Sequence, residues 1–344
     1  MHIRTSFLFL AGILVLMSCF VYPVYASANN DSVRIRIMFY NTENLFDVYD
    51  DPSTDDNEFL PSGLMRWNFP RYTKKINSLY KTIVAAGEWD PPAIVAMCEV
   101  ENRKVLEDLV DNSNLKTFGY GIVHEDSPDT RGIDVCLIFR KDIVRIAGYR
   151  YYTPAIAGEF HSRSILYAKC IVMDDTLHIL VNHWPSRRGG ILAGDEMRTG
   201  VSAKVATVVD SICASSGVKQ KIIITGDFNS DPDDQVVRSL TNAGHDREVK
   251  MINVTRQSRS AVQGTYRYQG MWELFDQFII SSGLSDSLKG LFAGDYPFRI
   301  FDAEFLLARD PKYPGPVPFA TYRGYRYQGG FSDHLPILLD LGYR

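Results

Sequence analysis

Apolar and polar residues alternate with a period of two along Val33–Tyr40 (VRIRIMFY), Ile133–Phe139 (IDVCLIF), Ile165–Met173 (ILYAKCIVM) and Leu177–His183 (LHILVNH). A strand with one covered face produces that pattern, because successive side chains point to opposite sides of a sheet. Pro92–Val100 (PAIVAMCEV), Lys221–Phe228 (KIIITGDF) and Leu274–Ser281 (LFDQFIIS) are more continuously apolar, as central strands covered on both faces are. Helices are predicted over Tyr72–Gly87, Arg103–Asn112, Asp195–Ser215 and Pro232–Asn242. In the third, Val201, Val205, Val208, Val209 and Ile212 share one face. Strands arrive mostly in consecutive groups with helices interspersed. That order predicts an α/β protein of two packed, antiparallel-rich sheets with helices outside, not a regular βαβ winding.

The first 28 residues stand apart. Arg4 and an almost wholly apolar run from Phe7 to Val21 lead to Ala26-x-Ala28, followed by polar Asn29, Asn30 and Asp31. A basic start, an apolar core and a small-residue cleavage site read as a secretory signal, too short for a membrane span. The competing reading is a lipoprotein signal, Leu16–Cys19 (LMSC), with Cys19 lipidated. Apolar residues crowd Cys19, which favours cleavage after Ala28. Export to the periplasm or medium is expected either way. Residues 29–344 show no composition break or Pro/Ser-rich linker and are read as one catalytic domain, monomeric and without a transmembrane anchor.

At 45% hydrophobic and 23% charged residues the composition is that of an ordinary folded chain. Removing the signal takes away Arg4 and no acid, so the net charge of −4 becomes −5. Such a balance gives no bulk attraction for polyanions, and a phosphate-bearing ligand must be held by a local cluster or a metal. Cys98, Cys136, Cys170 and Cys213 have no metal-type spacing and are read as buried free thiols. The acidic Asp47–Gly63 stretch lacks EF-hand spacing and reads as a solvated insertion rather than a calcium site. Gly290–Gly330, rich in Pro, Arg and Tyr, reads as a long loop beside an active site. TYRYQG (265–270) and YRYQGG (325–330) echo each other, each ahead of an acid, Asp276 and Asp333.

Most strand candidates end in a polar group. Asn41 and Glu43 follow the first, Glu99 ends PAIVAMCEV, and Asn182 and His183 end LHILVNH. Asp227 and Asn229 follow KIIIT, Asp276 lies in LFDQFIIS, and Asp333 and His334 lie in GGFSDHLPILL. Gly226 is expected to allow a sharp turn where its strand leaves the sheet. A charge in an apolar strand is costly unless it is paired or binds a metal, so this many point to one shared site. Carboxylates and amides with few thiols suit Mg²⁺ or Mn²⁺ more than zinc. Histidines paired with aspartates suit proton transfer and oxyanion stabilisation. Metal-assisted hydrolysis of a phosphate ester fits the set best. No Gly-x-Ser-x-Gly elbow, P-loop or dinucleotide fingerprint is present.

The ordered set Asn41-x-Glu43, Glu99, NHWPSR (182–187), GDFNSDP (226–232), Asp276 and SDHLPI (332–337) resembles the endonuclease/exonuclease/phosphatase superfamily, the DNase I-like fold. The likeness runs from about Arg34 to Leu341. It implies a four-layer α/β sandwich, two packed and mostly antiparallel sheets flanked by helices. It also implies roles. Glu99 would hold the divalent cation with Asn41, Glu43 and nearby Asp333. His334, oriented by Asp276, would be the general base or touch the phosphate. Asp227 would position or activate water, Asn229 would contact the scissile phosphate, and His183 would be a second acid or phosphate ligand. Glu43 departs from the aspartate or asparagine of many members. Arg131 and Asp134 stand where others carry a tyrosine or arginine aimed at phosphate; Arg131 is a phosphate candidate against a surface turn residue, and Asp134 reads as a salt-bridge partner. Arg187, beside Arg188, is a further phosphate candidate against simple solvation.

The expected activity is therefore that of a divalent-metal-dependent phosphoester hydrolase. A secreted endonuclease or phosphodiesterase acting on nucleic acid comes first, because NHWPSRRGG resembles the loop of secreted bacterial nucleases. The aromatic, arginine-bearing Tyr313–Tyr327 stretch is also able to stack bases. The alternative substrates are inositol phosphates, sphingomyelin or another small phosphoester. A non-catalytic binding module of the same fold is the third reading.

Overall fold

The computed structural model describes residues 33–344 apart from 89, 155–161, 188–190, 215–218, 244–248, 259 and 286–288, with backbone only for 191–193. The expected signal sequence, with Cys19, and Arg188 lie outside the described residues.

Two six-stranded sheets form the body. The first has the order Leu291–Ile300, Ile337–Tyr343, Val33–Leu45, Ile94–Val100, Asp134–Arg140, Tyr120–Val123. The second has the order Val144–Tyr152, Ile165–Val172, Asp175–His183, Ile222–Asp227, Asp276–Ser281, Met251–Asn253. Each is antiparallel except for one central parallel pair: Val33–Leu45 with Ile94–Val100, and Asp175–His183 with Ile222–Asp227. Parallel neighbours need a crossover connection, and the Phe69–Gly87 and Ile191–Ala214 helices supply it. Both strands of each pair then end at the same edge of their sheet. That is where the polar strand ends collect.

Strand alternation sorts the core into three apolar layers. Ile35, Ile37 and Phe39 meet Leu177, Ile179 and Val181 between the sheets. Met38 and Tyr40, on the opposite face, pack against Ile76, Leu79 and Ile83 of the first helix and Leu106 and Leu109 of Arg103–Val110. Leu180, Ile222 and Ile224 face Val201, Val205, Val208, Val209 and Ile212. Three cores between helix, sheet, sheet and helix make the expected four-layer sandwich. Asn68 and Asn102 cap their helices by accepting from the N–H groups of Arg71 and Val105. The four cysteines among the described residues are free and buried, and burial pushes the Cys170 thiol up to about 12. No helix among the described residues is long and apolar enough to cross a membrane.

Three local expectations are corrected. Pro232–Asn242 is helical only over Gln235–Arg238, followed by a 3-10 turn over Ser239–Asn242. Its acidic start is instead a loop in which Asp234 Oδ2 accepts from the Asp231 N–H at 2.9 Å. Gly290–Gly330 is not all loop, since Leu291–Ile300 is an edge strand whose Gly294–Pro297 stretch falls where the register shifts. Gly226 makes no turn, because its strand continues to Asp227. A Cβ there would lie 2.2 Å from the Asn182 carbonyl oxygen of the neighbouring strand, so close strand approach explains the glycine.

Candidate active site

The ends of the parallel pairs bring Asn41 and Glu99 from one sheet against His183 and Asp227 from the other. Asn41 Nδ2 donates to Asp227 Oδ2 at 3.0 Å and to Glu99 Oε1 at 3.3 Å, and the Asn44 N–H donates to Glu99 Oε2 at 2.9 Å. One amide thus joins acids from both sheets. Glu43, Asn44, Glu99 and Asn229 all have positive φ, a conformation costing non-glycine residues about 1–3 kcal/mol and concentrated at functional sites.

Asp276, paired in register with Asp227, is fully buried and accepts from His334 Nδ1 at 2.7 Å. The His334 ring lies 4.9 Å from that of Tyr266, and its Nε2 is 3.8 Å from Asp227 Oδ2. Burial works against a charged His334, but Asp276, Asp227 and Asp333 outweigh it and hold the imidazole pKa well above its ordinary value. His183 is the opposite case. Its Nε2 is 3.7 Å from Glu99 Oε1 and 3.8 Å from Asp227 Oδ2. Burial, with Arg163, Arg131 and His334, drives it well below the ordinary value. Burial, with Asp276 and Glu99 and against His334, pushes Asp227 up to about 6. At neutral pH the site therefore holds a cationic His334, a neutral His183 and an ionised Asp227. As a proton donor His183 would first have to be charged against that field, so its environment supports the phosphate-ligand half of the expectation.

The donor set suits a hard cation. Burial would raise Glu99, but Arg131, His334 and Arg163 hold it below the usual carboxylate value; an anionic oxygen is thus ready beside Asn41 and Asp227. Cys98, His183 and Asp227 also converge to within 4.8 Å. Burial, with Asp227 and Glu99, keeps the Cys98 thiol protonated, which leaves oxygen donors rather than a soft thiolate. Asp333 faces Glu99, Asp227, His334 and Lys75.

Two expected site residues are engaged by neighbouring loops. Both Glu43 carboxylate oxygens accept backbone N–H groups, from Thr321 at 2.5 Å and Tyr322 at 2.8 Å, so Glu43 braces a distant loop with one lone pair of each oxygen. Arg187 is held by Asp231 and Asp234 at 3.3 and 3.0 Å, donates to the Asn229 carbonyl and lies over Phe275. Its fork is engaged by its own loop. Arg131 is exposed, donates to Asn44 Oδ1 and acts on Glu99 and His183, at the rim of the site as a phosphate contact must be. Asn229 Nδ2 donates to the Trp184 carbonyl at 3.0 Å, and its N–H donates to Asp227 Oδ1. Asp134 is structural, 3.0 Å from His124 Nε2. Asn182 ties the Asp175–His183 strand to Thr225.

Sequence reading missed Lys75 and Arg163. Lys75 is buried in the first helix, and its Nζ donates to Thr321 Oγ1 and the Phe331 carbonyl at 2.6 Å each. Its signal was a lysine on the buried helix face with Tyr72, Ile76, Leu79 and Ile83. Arg163, paired with Asp129 at 3.3 Å, bears on Glu99 and His183. It sits in a polar HSRS stretch that reads as a turn.

Histidine–aspartate chemistry at the seam of two parallel strand pairs defines a DNase I-like phosphoester hydrolase. The chain belongs to the Endonuclease/Exonuclease/phosphatase family, whose model matches residues 36–342. No curated protein sequence matches it. Among solved structures it is similar to an endonuclease/exonuclease/phosphatase family protein from Bacteroides thetaiotaomicron (12% identity, TM-score 0.56, covering 91% of this chain and 96% of that one). It is similar to D. rerio TDP2 complexed with single strand DNA product (14%, TM-score 0.53, 90% and 98%). It is also similar to the B. thetaiotaomicron mannosyl-6-phosphatase Bt3783 (13%, TM-score 0.54, 89% and 99%). These likenesses carry the fold.

Proposed function

We propose that the protein is an exported, Mg²⁺- or Mn²⁺-dependent phosphodiesterase whose substrate is a nucleic acid. The observation that carries the chemistry is the joining of Asn41, Glu99, Asp227, Asp276 and His334 across the two sheets. A divalent cation would be held at Glu99, with Asn41 and Asp333 close by, and when bound would stabilise negative charge on phosphoryl oxygens. Asp227, ionised above about pH 6, accepts the proton of the attacking water. His334, kept cationic by its acids, donates toward the leaving oxygen and is aligned by Asp276. This exchanges the base role first expected of His334 for an acid role. Arg131, Arg163 and neutral His183 contact the phosphate.

Nucleic acid is favoured by two hairpins, the first of which places Tyr266 against His334. Tyr266–Tyr268 with Met271–Glu273 exposes Tyr268, and Tyr322–Arg323 with Arg326–Tyr327 exposes Tyr325 beside Arg326. Exposed rings next to cations suit base stacking and backbone contact. A small phosphoester is the second reading, supported by the neutralisation of Arg187, which removes one phosphate contact that a polymer would use. D. rerio TDP2 with its DNA product and the mannosyl-6-phosphatase represent the two directions within this fold.

The test is hydrolysis of bis-p-nitrophenyl phosphate with and without Mg²⁺, then plasmid nicking against phosphate release from an inositol phosphate. Mg²⁺-dependent turnover with nicking is expected; turnover with phosphate release alone selects the second reading, and no turnover supports the binding module. Glu99→Gln should raise the Mg²⁺ concentration for half-maximal rate by about tenfold, because an amide lacks the anionic oxygen. An unchanged requirement removes Glu99 from the ligand set. For export, the mature N-terminus should be Asn29. Fatty-acid labelling of Cys19 in cells would replace that reading with a lipoprotein.

A further inference from the structure

Among the described residues one hydrogen bond aims the His334 ring. Its Nδ1 lies 2.7 Å from Asp276 Oδ2, whereas its Nε2 is 3.8 Å from Asp227 Oδ2, beyond hydrogen-bond range. A single bond fixes one ring nitrogen and leaves the plane free to swing, because the second torsion of histidine has broad wells. Asp276 adds no further hold on the ring, since its Oδ1 is buried with no hydrogen-bond partner. The contact able to set the plane comes from Tyr266, whose ring lies 4.9 Å from that of His334 at 32°. Phe275 stacks on Tyr266 at 5.6 Å and 17°, and the Arg187 guanidinium lies over Phe275 at 4.8 Å.

The backbone holds Tyr266 in place. It makes an isolated β-bridge to His334, and next to it the Leu335 N–H donates to the Thr265 carbonyl at 2.8 Å. Thr265 is fully buried, and its Oγ1 accepts from the Asp276 N–H at 3.2 Å. Thr265 thus ties together the two segments that carry the histidine–aspartate pair, and the residue after it supplies the ring. Glu273 stands opposite Tyr266 in the hairpin, 3.7 Å from Arg187 Nη1. Through Arg187 the hairpin is joined to the loop of Asp231 and Asp234.

We propose that Tyr266 is a positioning residue whose ring sets the plane of His334, with Phe275 and Arg187 supporting that ring, a role that rests on His334 being the acid proposed above. Asp276 fixes one point of the imidazole, and Tyr266 fixes the rotation about it. Nε2 is then held toward the leaving oxygen and not merely near it. A flat, rigid ring suits this task, since it stacks on the imidazole in one orientation. The ring carries the role and the hydroxyl does not.

The test compares Tyr266→Leu and Tyr266→Phe in the mature protein with Mg²⁺. Each is assayed on bis-p-nitrophenyl phosphate and on the unactivated substrate that the wild type turns over, a dinucleotide or an inositol phosphate. Tyr266→Leu should lose about tenfold or more in kcat on the unactivated substrate, with KM within about twofold. Its loss on the aryl ester should be clearly smaller, because a nitrophenolate leaves without a proton. Tyr266→Phe should keep both rates within about twofold. Added to His334→Ala, Tyr266→Leu should cost nothing further, since a residue that acts through His334 has no effect once His334 is gone. If Tyr266→Leu fails to fold, Tyr266→Ile, better suited to a strand, should show the same split. Equal losses on both substrates, or an additive loss in the double variant, overturn the proposal in favour of hairpin packing alone. A wild type without turnover, or an unchanged rate in His334→Ala, removes the acid reading and this role with it. A loss in His334→Ala that Tyr266→Leu does not share overturns this role alone.

Discussion

His334→Ala is expected to lower turnover of an unactivated phosphodiester by ~10²–10⁴-fold, the usual worth of a positioned proton donor. The loss on bis-p-nitrophenyl phosphate should be clearly smaller, because a nitrophenolate leaves without a proton. Asp276→Asn should reproduce part of the effect with the same dependence on leaving group, since it removes the acceptor 2.7 Å from His334 Nδ1. His183→Ala should behave differently. A neutral ring at a phosphate oxygen stabilises charge whichever group leaves, so both substrates should lose a similar factor. The pH profile of kcat/KM follows from the same assignments. It should rise as Asp227 ionises, at or below about pH 6, and fall above neutrality as His334 loses its proton. Equal losses on both substrates for His334→Ala would remove its acid role. A His183→Ala variant that spares the aryl ester would transfer that role to His183.

The catalytic set was legible because its members break a strong pattern. Glu99, Asp227 and Asp276 interrupt apolar strands, where a bare charge is costly. What stayed hidden depended on partners far along the chain. Glu43 looks like a ligand beside Asn41, yet each of its oxygens also accepts a backbone N–H, of Thr321 and Tyr322, some 280 residues later. Arg187 looks free until Asp231 and Asp234 fold back on it. The echo of TYRYQG and YRYQGG is also not one motif used twice. The first copy begins its hairpin and puts Tyr266 on His334, whereas the second supplies the returning strand of its own. Asp47–Gly63 was legible in part: most of it is exposed, as its acidity suggests, and only packing shows that Asp47 and Asp56 are buried.

Lys75→Met is expected to destabilise the protein by about 3–5 kcal/mol, the range for leaving buried charge without its compensating partner. The lysine is buried to 1% exposure, ties Thr321 to Phe331, and is the cation facing Glu43 and Asp333. Burial and Asp333, against Lys75 and two backbone N–H groups, push Glu43 up to about 7 from 4.5. A carboxyl whose pKa is raised by folding favours the folded state most below its unfolded value, and that contribution is lost as pH rises through about 7. Without Lys75 the rise is larger, so the variant should suffer more at about pH 8 than at about pH 5. Adding Glu43→Gln removes the titrating group and the uncompensated charge together, and an amide can still accept one of the two backbone N–H groups. The double variant should therefore recover much of the stability and lose the extra pH dependence. Urea unfolding of the single and double variants at both pH values checks this. A double variant no more stable than Lys75→Met, with equal losses at both pH values, would mean that Lys75 acts through its hydrogen bonds to Thr321 and Phe331 and not through its charge.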